Sequence, residues 1–333
     1  MQLGFSFIIP VYNRPDEINE LLHSFSKLKT TTDFEVVIIE DGSTQSSETI
    51  INTYKNQLNI SYYKKNNSGP GDSRNYGMKK ALGNYFIILD SDCILPPQYL
   101  TEVEKSLEKE FVHCYGGPDA AHDSFTSVQK AINYAMTSLL TTGGIRGNEK
   151  GVDTFQPRSF NMGLSKEAFL ETNGFGKIHP GEDPDLTIRL WKLGYKTKLF
   201  SEAFVYHKRR ISWTKFYTQV KKFGLVRPIL NTWHPETKKI TYWFPSVFII
   251  GFIFSVLLTV TFKFNWLLNL YLLYFLIVFI HALFKTQSVY IAVLSMMAII
   301  IQFTGYGIGF LKSTFVMQFL RKKPKEYFPE LFF

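Results

Sequence analysis

Two aspartates, Asp90 and Asp92, lie one residue apart directly after the apolar run YFIIL at residues 85–89. The run predicts a buried strand, and the prolines at 96 and 97 predict a turn soon after it. Open α/β sheets bind their ligands at the carboxyl ends of parallel strands. A short carboxylate pair there suits a hard divalent cation that keeps its waters and is completed by a substrate diphosphate. The competing interpretation is a solvated turn at the end of a strand.

The segments that would position this pair alternate between strands and helices. Short apolar runs predict the strands, and apolar residues repeating every three or four positions predict the helices. This alternation predicts an α/β fold with a mostly parallel sheet and helices on both faces. The predicted strands cover residues 5–9, 34–39, 60–63 and 85–90, and the predicted helices cover residues 16–28, 47–58, 74–82, 127–140, 166–174 and 186–193.

Six short motifs follow one another along the first part of the chain. They are IIPVYNR at 8–14, EDGS at 40–43, GPGDSRN at 69–75, DSD at 90–92, NMG at 161–163 and GED at 181–183. Together, over roughly residues 5–230, they resemble the family 2 glycosyltransferases with the GT-A fold. The resemblance implies a Rossmann-like nucleotide-diphospho-sugar transferase domain.

The resemblance assigns Asp41, Arg74 and three residues of the first strand-end loop to the nucleotide-sugar donor. Asp41 is expected to hold the uracil or ribose, because a carboxylate accepts hydrogen bonds from N–H and hydroxyl groups; the alternative is a turn residue before glycine. Pro10, Tyr12 and Arg14 lie on the first strand-end loop, where Tyr12 is expected to stack on the base. Arg74 offers a guanidinium fork to the base carbonyl or to a phosphate.

The resemblance also implies a divalent metal, Mg²⁺ or Mn²⁺. Asp92 is the expected direct ligand, and Asp90 is expected nearer the ribose and the water shell of the metal. Such an ion bridges the two phosphates and neutralises the charge that grows on the leaving nucleoside diphosphate. His207 is a candidate third ligand, as a histidine is in several relatives. A structural histidine after an apolar strand is the alternative.

The acid pair Glu182 and Asp183 is the candidate for the chemical step. Inverting transfer needs a general base that takes the proton of the acceptor hydroxyl, and in the family the second residue of this pair is that base. Asp183 is therefore expected to be catalytic, with Glu182 in reserve. The pattern Asp183-Pro184 also predicts an N-cap followed by proline at the first helical position. The two roles of Asp183 are compatible.

Two further regions are expected on the acceptor side. Asn161 begins a strand that is expected to shape the sugar pocket, and the helix over residues 127–140 is expected to border the acceptor cleft.

Residues 213–227 predict a basic amphipathic helix that would lie in a membrane interface. Within it, Gln219 and Lys222 belong to a variant of the Q-x-x-R-W motif of processive polysaccharide synthases, with Lys for Arg and Phe for Trp. This departure favours transfer of a single sugar.

Three later stretches, 240–262, 264–284 and 286–311, contain no Asp, Glu, Lys or Arg and are long enough to cross a membrane. Gln302, Thr304 and three glycines interrupt the third, so we expect two full crossings and one shallow or broken segment. The basic flank at 208–227 predicts a cytoplasmic catalytic domain, whereas three crossings would place the basic tail outside. The predicted division is a catalytic domain at 1–210, an interface helix and linker at 211–239, a membrane region at 240–311 and a basic tail at 312–333.

Composition agrees with a membrane enzyme that uses an anionic donor. Lys and Arg total 37 against 28 for Asp and Glu, a formal net charge of +9. This balance suits anionic lipids and a diphosphate, and no motif supports nucleic-acid binding. Cys93 and Cys114 have no metal-ligand spacing and follow no secretory signal, which predicts a reducing cytoplasm.

The expected function is inverting transfer from a UDP-sugar to a lipid-linked or membrane-proximal glycan at a bacterial inner membrane. One alternative is transfer to polyprenyl phosphate, for which the basic residues 208–210 would form a phosphate pocket. Another is a catalytically silent membrane scaffold or glycan-binding protein, although it would have no chemical need for Arg74, Asp92 and Asp183 together. A dinucleotide oxidoreductase lacks its glycine fingerprint here.

Overall fold

The computed structural model describes residues 3–120, 122, 124–142, 155–208 and 212–333. The chain forms two compact units: residues 1–122, 145–208 and 332–333 make the first, and residues 123–144 and 209–331 make the second. The predicted catalytic domain over residues 1–210 therefore differs from the first unit. Residues 123–144 belong with the C-terminal helices because α5 (Ser127–Thr137) packs against α12 (Val289–Phe315).

The first unit is built on a seven-stranded sheet with the strand order β3-β2-β1-β4-β8-β6-β9. Strands β1 to β4 are parallel neighbours, but β8 runs antiparallel to both β4 and β6. Four of the six neighbouring pairs in the described sheet are parallel, so it is mostly parallel as expected, with β8 antiparallel to both of its neighbours. A three-stranded sheet, β5-β10-β7, completes the unit. The strands are β1 Phe5–Val11, β2 Phe34–Asp41, β3 Ile60–Lys65, β4 Tyr85–Leu89, β5 Cys93–Ile94, β6 Cys114–Gly116, β7 Asp119–Ala120, β8 Asn161–Ser165, β9 Thr197–Leu199 and β10 Val205–His207.

Helices cover both faces of the large sheet, as the alternation predicts. Side chains alternate along β1, so Phe7 and Ile9 enter one apolar cluster and Ile8 enters the other. Both clusters are closed to water, and burying such side chains contributes roughly 1.5–3 kcal/mol each. The remaining helices of the two units are α1 Pro15–Phe25, α2 Glu48–Tyr54, α3 Pro70–Lys80, α4 Tyr99–Lys109, α6 Leu139–Thr142, α7 Lys166–Thr172, α8 Glu182–Lys192, α9 Trp213–Trp233, α10 Phe244–Phe262, α11 Trp266–Thr286 and α13 Pro324–Tyr327.

Two helices of the first unit begin earlier than predicted. Helix α3 starts at Pro70 rather than at Arg74, because Pro70 occupies its first turn and Gly69, with φ of 89°, precedes it. Helix α8 starts at Glu182, and its N-cap is Gly181 with φ of 116°. Glycine tolerates that backbone conformation whereas other residues are strained by it. Asp183 is therefore not the N-cap, and that prediction was wrong.

The second unit contains three helices that are long and apolar enough to cross a membrane: Ile240–Phe262, Trp266–Thr286 and Val289–Leu320. The third is not broken at its glycines, contrary to expectation. A Cβ on Gly309 would lie 2.3 Å from the carbonyl oxygen of Lys221, and one on Gly224 would lie 2.1 Å from that of Tyr306. The glycines thus let the backbones of α9 and α12 approach closely.

Helix α9 buries its apolar side chains on protein. Phe216, Val220 and Ile229 are at most 2% exposed, and α9 packs along α12. A helix lying in a membrane interface instead keeps its apolar face against lipid. The predicted helix is present and longer than expected, but it is not amphipathic over its length, and α12 covers apolar side chains that we assigned to a lipid-facing side.

Candidate active site

The residues predicted for the donor and the metal lie at one edge of the large sheet. Asp41 ends β2, Asp90 and Asp92 follow β4, and Lys65, which was not predicted, ends β3. Arg14 follows β1 at the start of α1. Because β1 to β4 are parallel, their carboxyl ends meet at this edge, where α/β folds bind ligands.

Asp41 is 3% exposed and fixes the loop that leads into α3. Its carboxylate accepts hydrogen bonds from the backbone N–H groups of Ser68 at 3.0 Å and Gly69 at 2.9 Å. The ammonium group of Lys65 lies 2.7 Å from Oδ1. Asp41 therefore holds a loop and a lysine at the carboxyl end of β2. Tyr12 is half exposed, as a side chain that stacks on a base must be, and Pro10 is partly buried.

Arg74 connects two acids across the sheet edge. Its side chain is 3% exposed and donates to Asp90 Oδ1 at 2.6 Å and to Glu182 Oε1 at 2.9 Å. A buried guanidinium needs such partners, because leaving its charge unpaired is costly. Asp90 and Arg74 thus bind each other. The roles expected of Asp90 at the ribose and the metal, and of Arg74 at the base or a phosphate, stay predictions. The ring of Phe175 lies 5.3 Å from the Arg74 guanidinium.

Glu182 is held as an anion. Burial by itself raises the pKa of Glu182, but His179 and Arg74 outweigh that effect and hold the pKa well below its ordinary value. His179 Nδ1 lies 3.0 Å from Oε1, while Oε2 is buried without a hydrogen-bond partner. A carboxylate with a depressed pKa is a weak base, so Glu182 fits a structural role better than the reserve catalytic role.

Asp183 lies in the first turn of α8, next to Glu182 but in a different environment. Its side chain is 15% exposed, and Arg158 Nη1 lies 3.7 Å from Oδ2. Its backbone oxygen accepts a hydrogen bond from Thr187. Because Gly181 caps the helix, the capping role that competed with catalysis for this carboxylate is removed.

The small sheet brings His207 to Asp92. His207 on β10 pairs in register with Cys93 on β5, directly after Asp92. His207 Nε2 lies 3.2 Å from Asp92 Oδ1, and Arg14 Nη1 lies 3.0 Å from Oδ2. The ring of Phe160 stacks on His207 with centroids 4.7 Å apart. Two of the three residues predicted for the metal, Asp92 and His207, are therefore adjacent.

The donor atoms at this point fit a divalent cation. Ligand atoms of Asp92, Cys93 and His207 lie within 4.8 Å of one another, and this is the metal-type group found among the described residues. Cys93 is fully buried and its thiol donates to the carbonyl of Phe160, so it is not a suitable ligand. A carboxylate and an imidazole leave room for waters and phosphates, as Mg²⁺ and Mn²⁺ require. Asp90 is outside the group.

The residues predicted for the acceptor side lie in different parts of the structure. Asn161 is fully buried, accepts from the Tyr99 hydroxyl and donates to the carbonyl of Ala203 at 2.8 Å, so it has no surface for a ligand. Gln219 and Lys222 lie one turn apart on α9, partly buried, in the second unit. The basic residues proposed for a lipid phosphate are Lys208, which pairs with Glu20 at 2.6 Å, and residues 209–210, which lie outside the described residues.

Three site residues were not predicted. Lys65 ends β3. Since α/β sheets bind ligands at the carboxyl ends of their strands, this position in the sequence could have identified it. Arg158 and His179 give no such signal, because each meets its acid only through the tertiary fold. His179 is three residues before Glu182, but a loop precedes the helix there and spacing predicts no contact.

Comparison with known proteins decides the family. The sequence profile of Glycosyl transferase family 2 matches residues 6–171. The chain belongs to glycosyl transferase family 2. Residues 6–171 include Asp41, Arg74 and Asp92, whereas Asp183 and His207 follow the matched region.

Two sequence relatives carry named activities. TarS of Staphylococcus aureus, a poly(ribitol-phosphate) beta-N-acetylglucosaminyltransferase, is 36% identical over 110 residues, 32% of this chain and 19% of that protein. Chondroitin synthase of Escherichia coli is 34% identical over 237 residues, 62% of this chain and 34% of that protein. This family 2 chain thus spans a fifth to a third of the length of these relatives.

A solved structure shares the fold. The mannosyltransferase PcManGT of Pyrobaculum calidifontis, in complex with GDP-Man and Mn²⁺, has a TM-score of 0.58 to this chain at 15% identity. The match covers 92% of this chain and 88% of that one. It confirms the GT-A fold that the six motifs implied.

Proposed function

We propose that this family 2 chain is an inverting, metal-dependent glycosyltransferase. It would take the sugar of a UDP-sugar and place it on a hydroxyl of a lipid-linked or membrane-proximal glycan. One observation carries the proposal: Asp92 and His207 bring two ligand atoms within 3.2 Å at the ligand-binding edge of a family 2 domain. The Mn²⁺ and GDP-Man named for PcManGT support a nucleotide-sugar donor and a divalent ion.

The donor would lie along the strand ends. Tyr12, half exposed, would stack on the base, and the loop held by Asp41 would line the base and ribose. Asp92 and His207 would hold the metal, which neutralises charge on the diphosphate. Arg14, paired with Asp92, adds positive charge at the same point.

Asp183 would be the general base. The acceptor oxygen forms a bond to the anomeric carbon, the bond from that carbon to the diphosphate oxygen breaks, and the hydroxyl proton moves to the Asp183 carboxylate. Attack opposite the leaving group inverts the anomeric centre. Glu182 would not take this proton, because Arg74 and His179 stabilise its anion. Its role would be to hold Arg74 in place.

The acceptor class is inferred from the second unit and the relatives. Three helices long and apolar enough to span a membrane favour an acceptor at a membrane. TarS and chondroitin synthase are named for glycan polymers, which supports a glycan acceptor. The variant motif at Gln219 and Lys222 favours addition of one sugar. The positive-inside rule favours a cytoplasmic active site at a bacterial inner membrane.

The first test is nucleoside-diphosphate release by the detergent-purified full chain with a panel of UDP- and GDP-sugars. We expect release from a UDP-sugar that requires Mg²⁺ or Mn²⁺, increases with membrane glycolipid extract and is lost in Asp92→Asn and Asp183→Asn. Asp33→Asn is the matched control, because Asp33 is exposed just before β2. Equal release by wild type and both site variants, with extract present, would overturn the proposal.

A further inference from the structure

Arg158 lies at the ligand-binding edge of the large sheet. Its carbonyl oxygen accepts a hydrogen bond from the backbone N–H of Asn161 at 3.0 Å. Asn161 begins β8 and pairs in register with Leu89, the residue directly before Asp90. Arg158 therefore belongs to the same edge as the strand-end acids. Its Nη1 atom lies 3.7 Å from Asp183 Oδ2, so the guanidinium adjoins the acid that we propose as the general base.

The hydrogen-bonding capacity of this guanidinium is unused in the described part of the chain. A guanidinium has five N–H donors. At 3.7 Å, the contact with Asp183 is an ion pair and is too long for a hydrogen bond, and Nε has no hydrogen-bond partner. The Arg158 side chain is nonetheless only 21% exposed. A mostly buried cation without hydrogen-bond acceptors is costly, which favours a ligand that supplies them.

Arg189 shows how an arginine with a structural role differs. It is in the same unit, and its side chain is 27% exposed, close to the value for Arg158. Its Nε atom donates to Asp185 at 3.0 Å, and its two terminal nitrogens donate to the carbonyl oxygens of Thr172 and Gly174. All three of its nitrogens thus have acceptors within the fold. Arg158 is similarly buried but has no such acceptor among the described residues, so the packing of the fold does not account for its guanidinium.

A positive charge next to a general base affects the proton transfer. A cation beside Asp183 opposes protonation of that carboxylate, because the carboxylate loses its charge in the step. An anion that binds the cation offsets this effect. The diphosphate of the donor has another proposed site, at Asp92 and His207 with Arg14. The acceptor, whose hydroxyl must reach Asp183, is therefore the substrate that brings an anion to Arg158.

We propose that Arg158 binds an acidic group of the acceptor, a phosphate or a carboxylate next to the hydroxyl that is glycosylated. Its guanidinium donates two parallel N–H hydrogen bonds to two oxygens of that group, which positions the hydroxyl at Asp183. The acceptor class is thereby narrowed to anionic glycans. This inference rests on the proposed function, because it takes Asp183 as the base.

The test uses the detergent-purified full chain and a membrane glycolipid extract that is separated by anion exchange into a neutral and an acidic fraction. Nucleoside-diphosphate release from the UDP-sugar donor is measured with each fraction at equal sugar content. We expect the acidic fraction to increase release about tenfold more than the neutral fraction does, since a hydrogen bond to a charged group has at least that effect on binding. Carbodiimide–borohydride reduction neutralises carboxylates and leaves phosphates. Loss of the increase after reduction assigns a carboxylate, and its retention assigns a phosphate.

Three variants connect this selectivity to Arg158. Arg158→Gln is expected to raise the concentration of the acidic fraction needed for half-maximal release by about tenfold to hundredfold, the value of one hydrogen bond to a charged group. The KM for the donor is expected to change much less, because the donor phosphates bind elsewhere. Arg158→Lys keeps the charge without the planar fork and is expected to recover only part of the loss. The matched control, Lys166→Gln, removes one exposed positive charge after the opposite end of β8 and is expected to change neither value.

Four outcomes would overturn the inference and leave the proposed function intact. No difference between the two fractions would remove the acidic group from the acceptor. A rise in the donor KM as large as the rise for the acidic fraction would assign Arg158 to the donor diphosphate. Equal effects of Arg158→Gln and Lys166→Gln would indicate general surface charge. A lower unfolding temperature in Arg158→Gln, with no recovery in Arg158→Lys, would indicate a structural role.

Failure of the proposed function itself gives a different result. Release that is the same in the wild type, Asp92→Asn and Asp183→Asn, with either fraction present, would overturn both the proposed function and the role of Arg158.

Discussion

The two halves of the candidate active site differ in how their charges are satisfied. Around Arg74, the guanidinium and Glu182 are nearly closed to water and bind each other. Around Asp92, Arg14 is 32% exposed at its side chain, and the acid is shared between Arg14 and His207. Charges that are buried and mutually paired hold a fold together, whereas charges at an open edge are available to a ligand. We call the part around Arg74, Asp90 and Glu182 the structural half, and the part around Asp92, Arg14 and His207, where the proposed metal site lies, the chemical half.

The largest expected effect tests the structural half. Arg74→Met leaves Asp90 and Glu182 without their cation, and removing one partner of a buried ion pair costs about 3–5 kcal/mol. We expect a clear fall in the unfolding temperature of the first unit, measured by thermal unfolding in detergent. A loss below about 1 kcal/mol would mean that water reaches this network and that the two halves do not differ.

The next effect concerns pH and Glu182. The folded pKa of Glu182 lies below its ordinary value of 4.5, so its contribution to stability is present above pH 4.5 and is lost as the pH falls toward the folded pKa. Glu182→Gln is therefore expected to lower the unfolding temperature by the equivalent of a few kcal/mol from pH 7 down to about pH 5, and by less and less as the pH falls below 4.5. The matched variant Glu20→Gln, at a half-exposed acid, should give a small and nearly constant difference over the same range. A Glu182→Gln difference that grows on acidification would contradict the direction of the shift.

His207→Ala sharpens the description of the chemical half. We expect it to raise the Mn²⁺ concentration needed for half-maximal activity by roughly 10–100-fold, the range seen when a metal site loses one supporting contact. The unfolding temperature should change little. An unchanged metal requirement, with activity lost only through misfolding, would return His207 to the structural role that was its alternative. His113→Ala, on a histidine that bonds to Ser165 elsewhere in the unit, is the control.

The smallest effect is predicted for the stability of Arg14→Met. Its ion pair with Asp92 is partly exposed, and such pairs contribute about 0–1 kcal/mol. We expect a near-native unfolding temperature together with a higher KM for the nucleotide-sugar donor. A stability loss as large as that of Arg74→Met would remove the distinction between the halves.

The sequence was most informative where chemistry depends on strand ends. Asp90 and Asp92 were placed at a ligand-binding strand end because the apolar run before them marks a strand, and the family resemblance placed Asp41 at the donor. The partner of each charge was predicted poorly. Arg74 faces Glu182, 108 residues away in the chain, and Asp90, 16 residues away, and periodicity carries no signal for such pairs.

The direction of β8 and the packing of α9 on α12 also could not be predicted from the sequence. Nothing in the alternation of apolar residues distinguishes β8, which is antiparallel, from its parallel neighbours. Glycines in α12 were interpreted as interruptions, because glycine disfavours a helix in isolation. In the fold they are contact points for α9, so the same residues weaken local preference and strengthen packing.

The pairing of β10 with β5 also constrains the length of the chain before it. Side chains alternate along a strand, so a slip of one residue would put Tyr206 opposite Cys93, where His207 now stands. Inserting one residue between β9 and β10 would bring the Tyr206 phenol to the place of the His207 imidazole, and deleting one would bring Lys208 there. Surface connections usually tolerate such changes. We expect residues 200–204 to be an exception, because the count of residues there decides which side chain reaches the acid.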